Sequence, residues 1–549
     1  MKTMRFCSVL AAMLLGGLLL NTPAHAQYTA DYQTNIISGV TSNWSGDYIV
    51  GSNTYADGLL IQSGGVLSDG LGNIGYVGNN NAATVSGSGS VWSNSGDLTV
   101  GYEGSGNSLT ISNGGAVYDN TGQIGSHNVV IVSGNGSVWS NSDGLSFVNA
   151  YEDEGSGSLI VSHGGAVYSS GSGGYNANVV VTGVGSVWNN YGDFEEGYPY
   201  GASGFITVTN GGAVHDIGAI FASALVTGSG SVWSNSGSLG LASVLTIADG
   251  GALYSSGFFL SSEGDVEVVV TDPGSVWNNT GSLDGFGYGF DLTITNGGAV
   301  YSGDTVLQDL DGAFALVSGA KSIWSIKGSL DLAWPSGLTI ADDGAVVADS
   351  VYHELGEINV AGGGLYVTNG LGTGVLQLSG STLALNNGTV TVDSVVVYNS
   401  PFYQYTATGV VAFTSGLLTS GGTVVSNGQN FAVGDGTDRA VFALVRGVHS
   451  FADGLEIESR ALLTGCGTIK GSVVVDHGGT VLAKRDERLN FTGSVTNNGI
   501  IHVRDGATLN FYGPVVNNGL IEARKGHLRF WSSIQNNGKI LTRRRAGRR

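Results

Sequence analysis

The chain has 549 residues, 93 of them Gly and only 6 Pro, with 42% hydrophobic residues and a formal net charge of −21 at pH 7. So much Val, Ile and Leu beside so much Gly excludes a disordered linker and points to many short strands joined by tight turns. The acidic balance excludes nucleic acid as a partner, because its phosphates would be repelled.

In chain order, Lys2 and Arg5, the apolar run over residues 7–20 and Ala24-His25-Ala26 read as an export signal covering residues 1–26. That run is shorter than the ~20 residues of a membrane-spanning helix, so the mature chain is expected to carry no transmembrane anchor. Export leaves Cys466 as the single cysteine, which excludes an internal disulfide. In its setting, TGCGTI, it reads as a small buried strand residue.

Residues 27–347 form a repeat. Trp44, Trp92, Trp139, Trp188, Trp233, Trp277 and Trp324 follow one another at steps of 48, 47, 49, 45, 44 and 47 residues. A period near 47 that tolerates insertions marks an array. Each repeat holds a second copy of itself: TVSGSGSVWSNSG (residues 84–96) aligns with TISNGGAVYDNTG (residues 110–122). The unit is then about 23 residues with two or three short strands, one coil of an all-β, single elongated β-solenoid. In SLTISNGG, Leu109 and Ile111 share parity and are expected to face inward, with Thr110 and Ser112 outward. Gly pairs such as Gly114-Gly115 mark corners.

On this alignment Trp92, Tyr118, Trp139, Tyr168, Trp188, Trp233, Tyr254, Trp277, Tyr301 and Trp324 are expected to form one aromatic ladder, with His215 in the same series. Two residues on, Asn94, Asn120, Asn141, Asn190, Asn235 and Asn279 are expected to stack as an amide ladder. Val91 and Trp92 are adjacent, so an inward Val91 turns Trp92 outward unless the turn rotates it. Two readings therefore stand for the rings, a structural ladder or an exposed platform for sugars.

Residues 348–460 keep strand alternation without the Trp landmark and read as less regular rungs. Residues 461–542 end in Asn-Asn-Gly turns at Asn497, Asn517 and Asn536, with steps of 20 and 19, which predict terminal rungs of a smaller coil. Residues 543–549 are a basic tail. From residue 484 onward there are 13 Lys or Arg, whereas residues 27–438 hold only Lys321 and Lys327.

The unit TGSGSVWSNSGSL…LTIADGGALY (residues 227–254) resembles the repeat shared by bacterial autotransporter passengers and proteins bearing the PEP-CTERM sorting signal, over residues 41–347. LLTGCGTIKGSVVVDHGGTVLA (residues 462–483) is similar to an autotransporter-associated strand repeat. The resemblance implies a secreted or surface-displayed right-handed parallel β-helix with no catalytic residues to carry over. Neither the C-terminal barrel of ~10-residue strands nor a Pro-Glu-Pro sorting tail is found, so the protein is expected to be released, held by a partner, or read from a truncated frame.

No catalytic, cofactor or metal site emerges. YEDEG (residues 151–155) and DFEEG (residues 193–197) read as solvated loops or a cation site two rungs apart. Asp342-Asp343, His163 and His477 occupy corner slots and read as turn residues. The expected function is a non-enzymatic, adhesin-like or structural rod at the cell surface or outer membrane, about 23 rungs and roughly 110 Å long. Its expected partners are surface glycans or other envelope proteins. Two alternatives are a carbohydrate-binding solenoid that uses the Trp and Tyr rings, and a polysaccharide lyase or hydrolase with carboxylates on adjacent rungs.

Overall fold

The computed structural model describes residues 28–148, 156–174, 176–196, 204–260, 265–287, 289–309, 312–400 and 407–543. The export signal, the YEDEG stretch and the end of the basic tail lie outside the described residues. Within them the chain is all-β, a parallel β-solenoid of about 21 turns with about 23 residues per turn. No helix among the described residues is long and apolar enough to cross a membrane, which says nothing of a barrel.

Each turn contributes a strand to three stacked faces. Face 1 begins with Thr34–Ser38, which pairs in parallel with Gly58–Gln62, then Ala82–Ser86 and Ser108–Ser112. Face 2 runs through Thr41–Asn43, Val66–Asp69 and Val91–Asn94. Face 3 runs through Tyr48–Val50, Gly72–Ile74 and Leu98–Val100. Alternation decides which side is buried: Leu109 and Ile111 are fully buried as their parity predicts, and Thr110 and Ser112, each following one of them, are half-exposed. Each backbone row hydrogen-bonds to the next turn, so no rung can fold alone.

The corner between faces 1 and 2 explains the Gly pairs. Asn113 and Gly114 take left-handed φ values of 51° and 85°. A Cβ on Gly115 would sit 2.4 Å from the Val85 carbonyl oxygen of the turn below. His163 (φ 52°), Asp342 (φ 48°) and Asp343 (φ 65°) are corner residues of this kind, as expected. The Ser of each GSVW or KSIW motif closes the corner from the turn above. Ser137 Oγ accepts the Gly114 N–H at 3.1 Å and donates to the Ser133 carbonyl at 2.8 Å. Ser186, Ser231, Ser275 and Ser322 accept from Gly164, Gly211, Gly250 and Gly297 in the same way.

The faces continue beyond the Trp repeats. From residue 431 face 1 is carried by a separate six-stranded ladder, Phe431–Val433, Leu455–Ile457, Val473–Val475, Val495–Asn497, Val515–Asn517 and Ile534–Asn536. There Asn497, Asn517 and Asn536 are register partners on consecutive turns. Phe491, Phe511 and Phe530 stack beside them on face 3, with ring centroids 5.4 and 5.1 Å apart. Cys466 lies in Leu462–Lys470 and is half-buried, more open than the buried position expected, because Gly465 and Gly467 bend the strand around it with positive φ.

Candidate functional site

The alternating Trp and Tyr ladder does not form. Trp92 is the register partner of Leu67 below and Val117 above, and Tyr118 is the partner of Ser93 and Ser140. The cause is one residue of turn length. Ser86 and Ser112 are aligned on face 1, yet Trp92 follows Ser86 by six positions and Val117 follows Ser112 by five. A one-residue slip moves a side chain to the other face of a strand. Trp92, Trp139, Trp188, Trp233, Trp277 and Trp324 therefore point inward and are fully buried, alternating with Val117, Val167, Val214, Leu253 and Val300. Tyr118, Tyr168, Tyr254 and Tyr301 point outward. Val91 is correspondingly on the outer side, the reverse of the inward placement considered above.

The Asn column is likewise different from the expected ladder. Asn94, Asn141, Asn190, Asn235 and Asn279 are buried, but their partners across the register are Asp69, Asp119, Ser169, Asp216 and Ser255, and Asn120 stands one position outside the column. This arrangement feeds the indoles. Trp92 Nε1 donates to Asp69 at 2.9 Å, Trp139 to Asp119 at 2.7 Å and Trp233 to Asp216 at 2.8 Å. Trp188, Trp277 and Trp324 donate to Ser169, Ser255 and Ser302 at 3.1, 3.1 and 3.2 Å. Ser169 and Ser255 pass the chain on, donating to Asn190 Oδ1 and Asn279 Oδ1 at 2.8 and 3.0 Å. The Asp turns leave Oδ1 of Asp69, Asp119 and Asp216 without a partner. Burial pushes these carboxyls up to about 7, 8 and 7, against the opposing pull of the indole bonds. They are core acids whose burial favours the protonated form, fixed under Trp and closed to a ligand.

The outer side of face 2 is the arrangement with the reach to bind. From Val66 to Val347 its outward positions are Val, Ala, Ile, Ser, Asn and Tyr with the one His215, and none is Asp, Glu, Lys or Arg. Tyr118, Tyr168, His215, Tyr254 and Tyr301 occupy every second turn of one column, with Ser140, Asn189, Ser234 and Asn278 between them. Beside each of these aromatic positions stands an Ala (116, 166, 213, 252, 299), and beside each small one a Val (138, 187, 232, 276). Large and small residues so paired keep the strip level. Tyr118, Tyr254 and Tyr301 are 45%, 42% and 42% exposed.

Three other groupings were not legible in the sequence. On the outer side of face 1, Glu267, Asp291, Phe314, Gly337 and Glu357 are successive register partners lining a groove of about 480 Å³. Burial, helped by Glu267 and Asp265, raises the Asp291 carboxyl above its ordinary value. Glu456, Glu458 and Asp476 bring three carboxylates within 4.8 Å, close enough to share a cation, and burial with its acidic neighbours raises Glu456. Cys466 lines an open groove of about 430 Å³ together with Arg446, Arg485, Asp486, Glu487 and Arg488. In the DFEEG stretch Asp193 is exposed, and the side chains of both Glu lie outside the described residues.

No family model matches the chain, and no curated protein matches it. Among solved structures it is similar to the crystal structure of a TibC-catalysed, hyper-glycosylated TibA fragment, with 14% sequence identity, 94% of this chain and 97% of that chain covered, and a TM-score of 0.22. The fold assignment rests on the strand ladders and not on that likeness.

Proposed function

We propose that the protein is an exported, non-enzymatic β-solenoid that acts as an adhesin-like rod at the cell surface or outside the cell. The observation that carries this reading is the uncharged outer strip of face 2 on a chain of net charge −21. A level apolar and hydroxyl-bearing surface of that length is the kind of patch that marks an interaction site. Thirteen strands at about 4.8 Å spacing give it a length of roughly 60 Å. The residue pattern of an export signal over residues 1–26 and the resemblance to autotransporter repeats support the extracellular setting.

Placing charges in the strip tests the reading. Beads coated with the full chain should adhere to cell surfaces, and Ser140→Lys with Ser234→Lys should abolish adhesion without changing the circular dichroism. Adhesion that survives both lysines would remove face 2 as the contact surface. The Glu267 and Asp291 pair beside Phe314 is the feature that favours the alternative of a glycan-cleaving enzyme; turnover of a polysaccharide by the purified chain would establish it.

A further inference from the structure

We infer that the strip on face 2 binds an uncharged, extended β-linked polysaccharide, whose sugar rings stack on Tyr118, Tyr168, Tyr254 and Tyr301. The inference rests on the adhesin reading and names its ligand class.

The spacing comes from the backbone. Consecutive turns of the solenoid lie about 4.8 Å apart, so the aromatic positions that occupy alternate turns recur at about 9.6 Å. An extended chain of equatorially β-linked sugars presents the same ring face once per disaccharide, at close to that distance. His215 stands in the third aromatic position and keeps the period unbroken from Tyr118 to Tyr301. A helical α-linked polymer has no flat face that repeats in this way.

The chemistry between the rings agrees. Ser140, Asn189, Ser234 and Asn278 lie in the same column, half-exposed, and supply hydroxyl and amide groups at the level of the alternate sugar. Aromatic side chains with one polar end suit a ligand that is apolar on its ring faces and wet at its rim. No Lys or Arg occupies an outward position of the face 2 strands between Val66 and Val347, and the two exposed lysines of that stretch, Lys321 and Lys327, stand at the corners on either side of the face 2 segment that carries Trp324. On so acidic a chain this disfavours uronic or sulfated polymers and leaves the neutral ones. Levelness points to a straight ligand: the Ala beside each Tyr makes room for the ring where a Val would raise the surface.

The test uses the full chain and depletion from solution onto insoluble polysaccharides. Cellulose and chitin should deplete the protein, and α-linked dextran gel should not. Cello- and chito-hexaose should compete. Each Tyr→Ala change should weaken binding roughly 2- to 10-fold, and the combined Tyr118→Ala, Tyr168→Ala, Tyr254→Ala and Tyr301→Ala chain should show none. The corresponding Tyr→Phe chain should retain most of the binding, and unchanged melting of both chains would show that the loss is not unfolding. Equal depletion by dextran, or binding that survives the four alanines, would overturn the inference. If the four alanines abolish adhesion of coated beads while no β-linked polymer binds or competes, the ligand class is wrong and the adhesin reading stands.

Discussion

The Trp turns and the Asn-Asn-Gly turns both bury polar side chains in a β core, and they satisfy them in opposite ways. Near the C-terminus identical residues stack: Asn497 Nδ2 donates to Asn517 Oδ1 at 2.8 Å, and Asn517 Nδ2 to Asn536 Oδ1 at 2.6 Å. A second row runs outside, from Asn537 to Asn518 to Asn498, at 2.9 Å per step. An amide is donor and acceptor at once, so it can bond its own kind on every turn and the repeat is a single turn. An indole only donates. It needs a different residue below it and room above it, so Trp139 sits over Asp119 and under Val167 and the pattern closes after two turns. The 47-residue period of the Trp region is this doubling, and the 20-residue period of the last turns is its absence.

The sharpest break of that comparison is Trp139→Ala, which empties an indole-sized space and leaves Asp119 without its donor. A loss of about 3–5 kcal/mol is expected. Tyr118→Ala, one position away in the aligned motif but outside the core, should cost under about 1 kcal/mol. Stacked repeats depart from all-or-none unfolding, so the two are best read by hydrogen exchange of face 2 amides around residues 116–168. Equal losses would mean that the two rings do share one column.

A smaller effect is expected in the Asn region. Asn517→Ala cuts the ladder on both sides, leaving the Asn497 amide only its bond to the Leu520 carbonyl and removing a donor from the Lys539 carbonyl. It should cost about 1–3 kcal/mol in exchange protection of residues 495–536. Asn141→Ala, which gives up only a 3.2 Å bond to the Tyr168 carbonyl, should cost less. The reverse order would show that relay columns lean on their Asn as heavily as ladders do.

How much of this could be read beforehand depended on whether a feature repeats with constant spacing. Turn length, the inward parity of Leu109 and Ile111, and the Asn497, Asn517 and Asn536 steps all repeat and were legible. The Trp and Tyr assignment was lost to the single extra residue in the SGSGS turn, which flips every side chain after it while leaving the aligned letters similar. The corner column formed by Asp57, Asn81, Asn107 and Asn128 was missed because irregular loops carry it. Yet each Asn there accepts the backbone N–H of the preceding column member at 2.8–2.9 Å. The face 1 groove was hidden for the same reason: Glu267, Asp291 and Glu357 meet only once register is known. The AVYD and AVHD quartets beside GSVW were the available signal for Asp119 and Asp216, which receive the Trp139 and Trp233 indoles, since each places an acid two residues after the inward Val.

The subtlest difference between the two regions is their response to pH. In the unfolded chain Asp69, Asp119 and Asp216 titrate near 3.8, and in the folded chain burial holds them at about 7, 8 and 7. The folded Trp region thus binds more protons than the unfolded chain across that interval. Its stability is fully present below about pH 4 and is lost as pH rises through 7 and 8. The Asn columns themselves hold no titrating group, and in the same turns burial holds His502, and the Arg524 bond holds Glu522, below their ordinary values, so this region should not follow. Asp119→Ser copies the arrangement of Ser169 and Ser255, in which a hydroxyl accepts the indole and donates to the Asn without ionising. Exchange protection around Trp139 should then decline less between pH 6 and pH 9 in the variant than in the parent, while protection around Asn517 is the same in both. A decline of equal steepness in the two proteins would mean that Asp119 enters the fold already ionised, and that its orphaned oxygen is answered by something other than a proton.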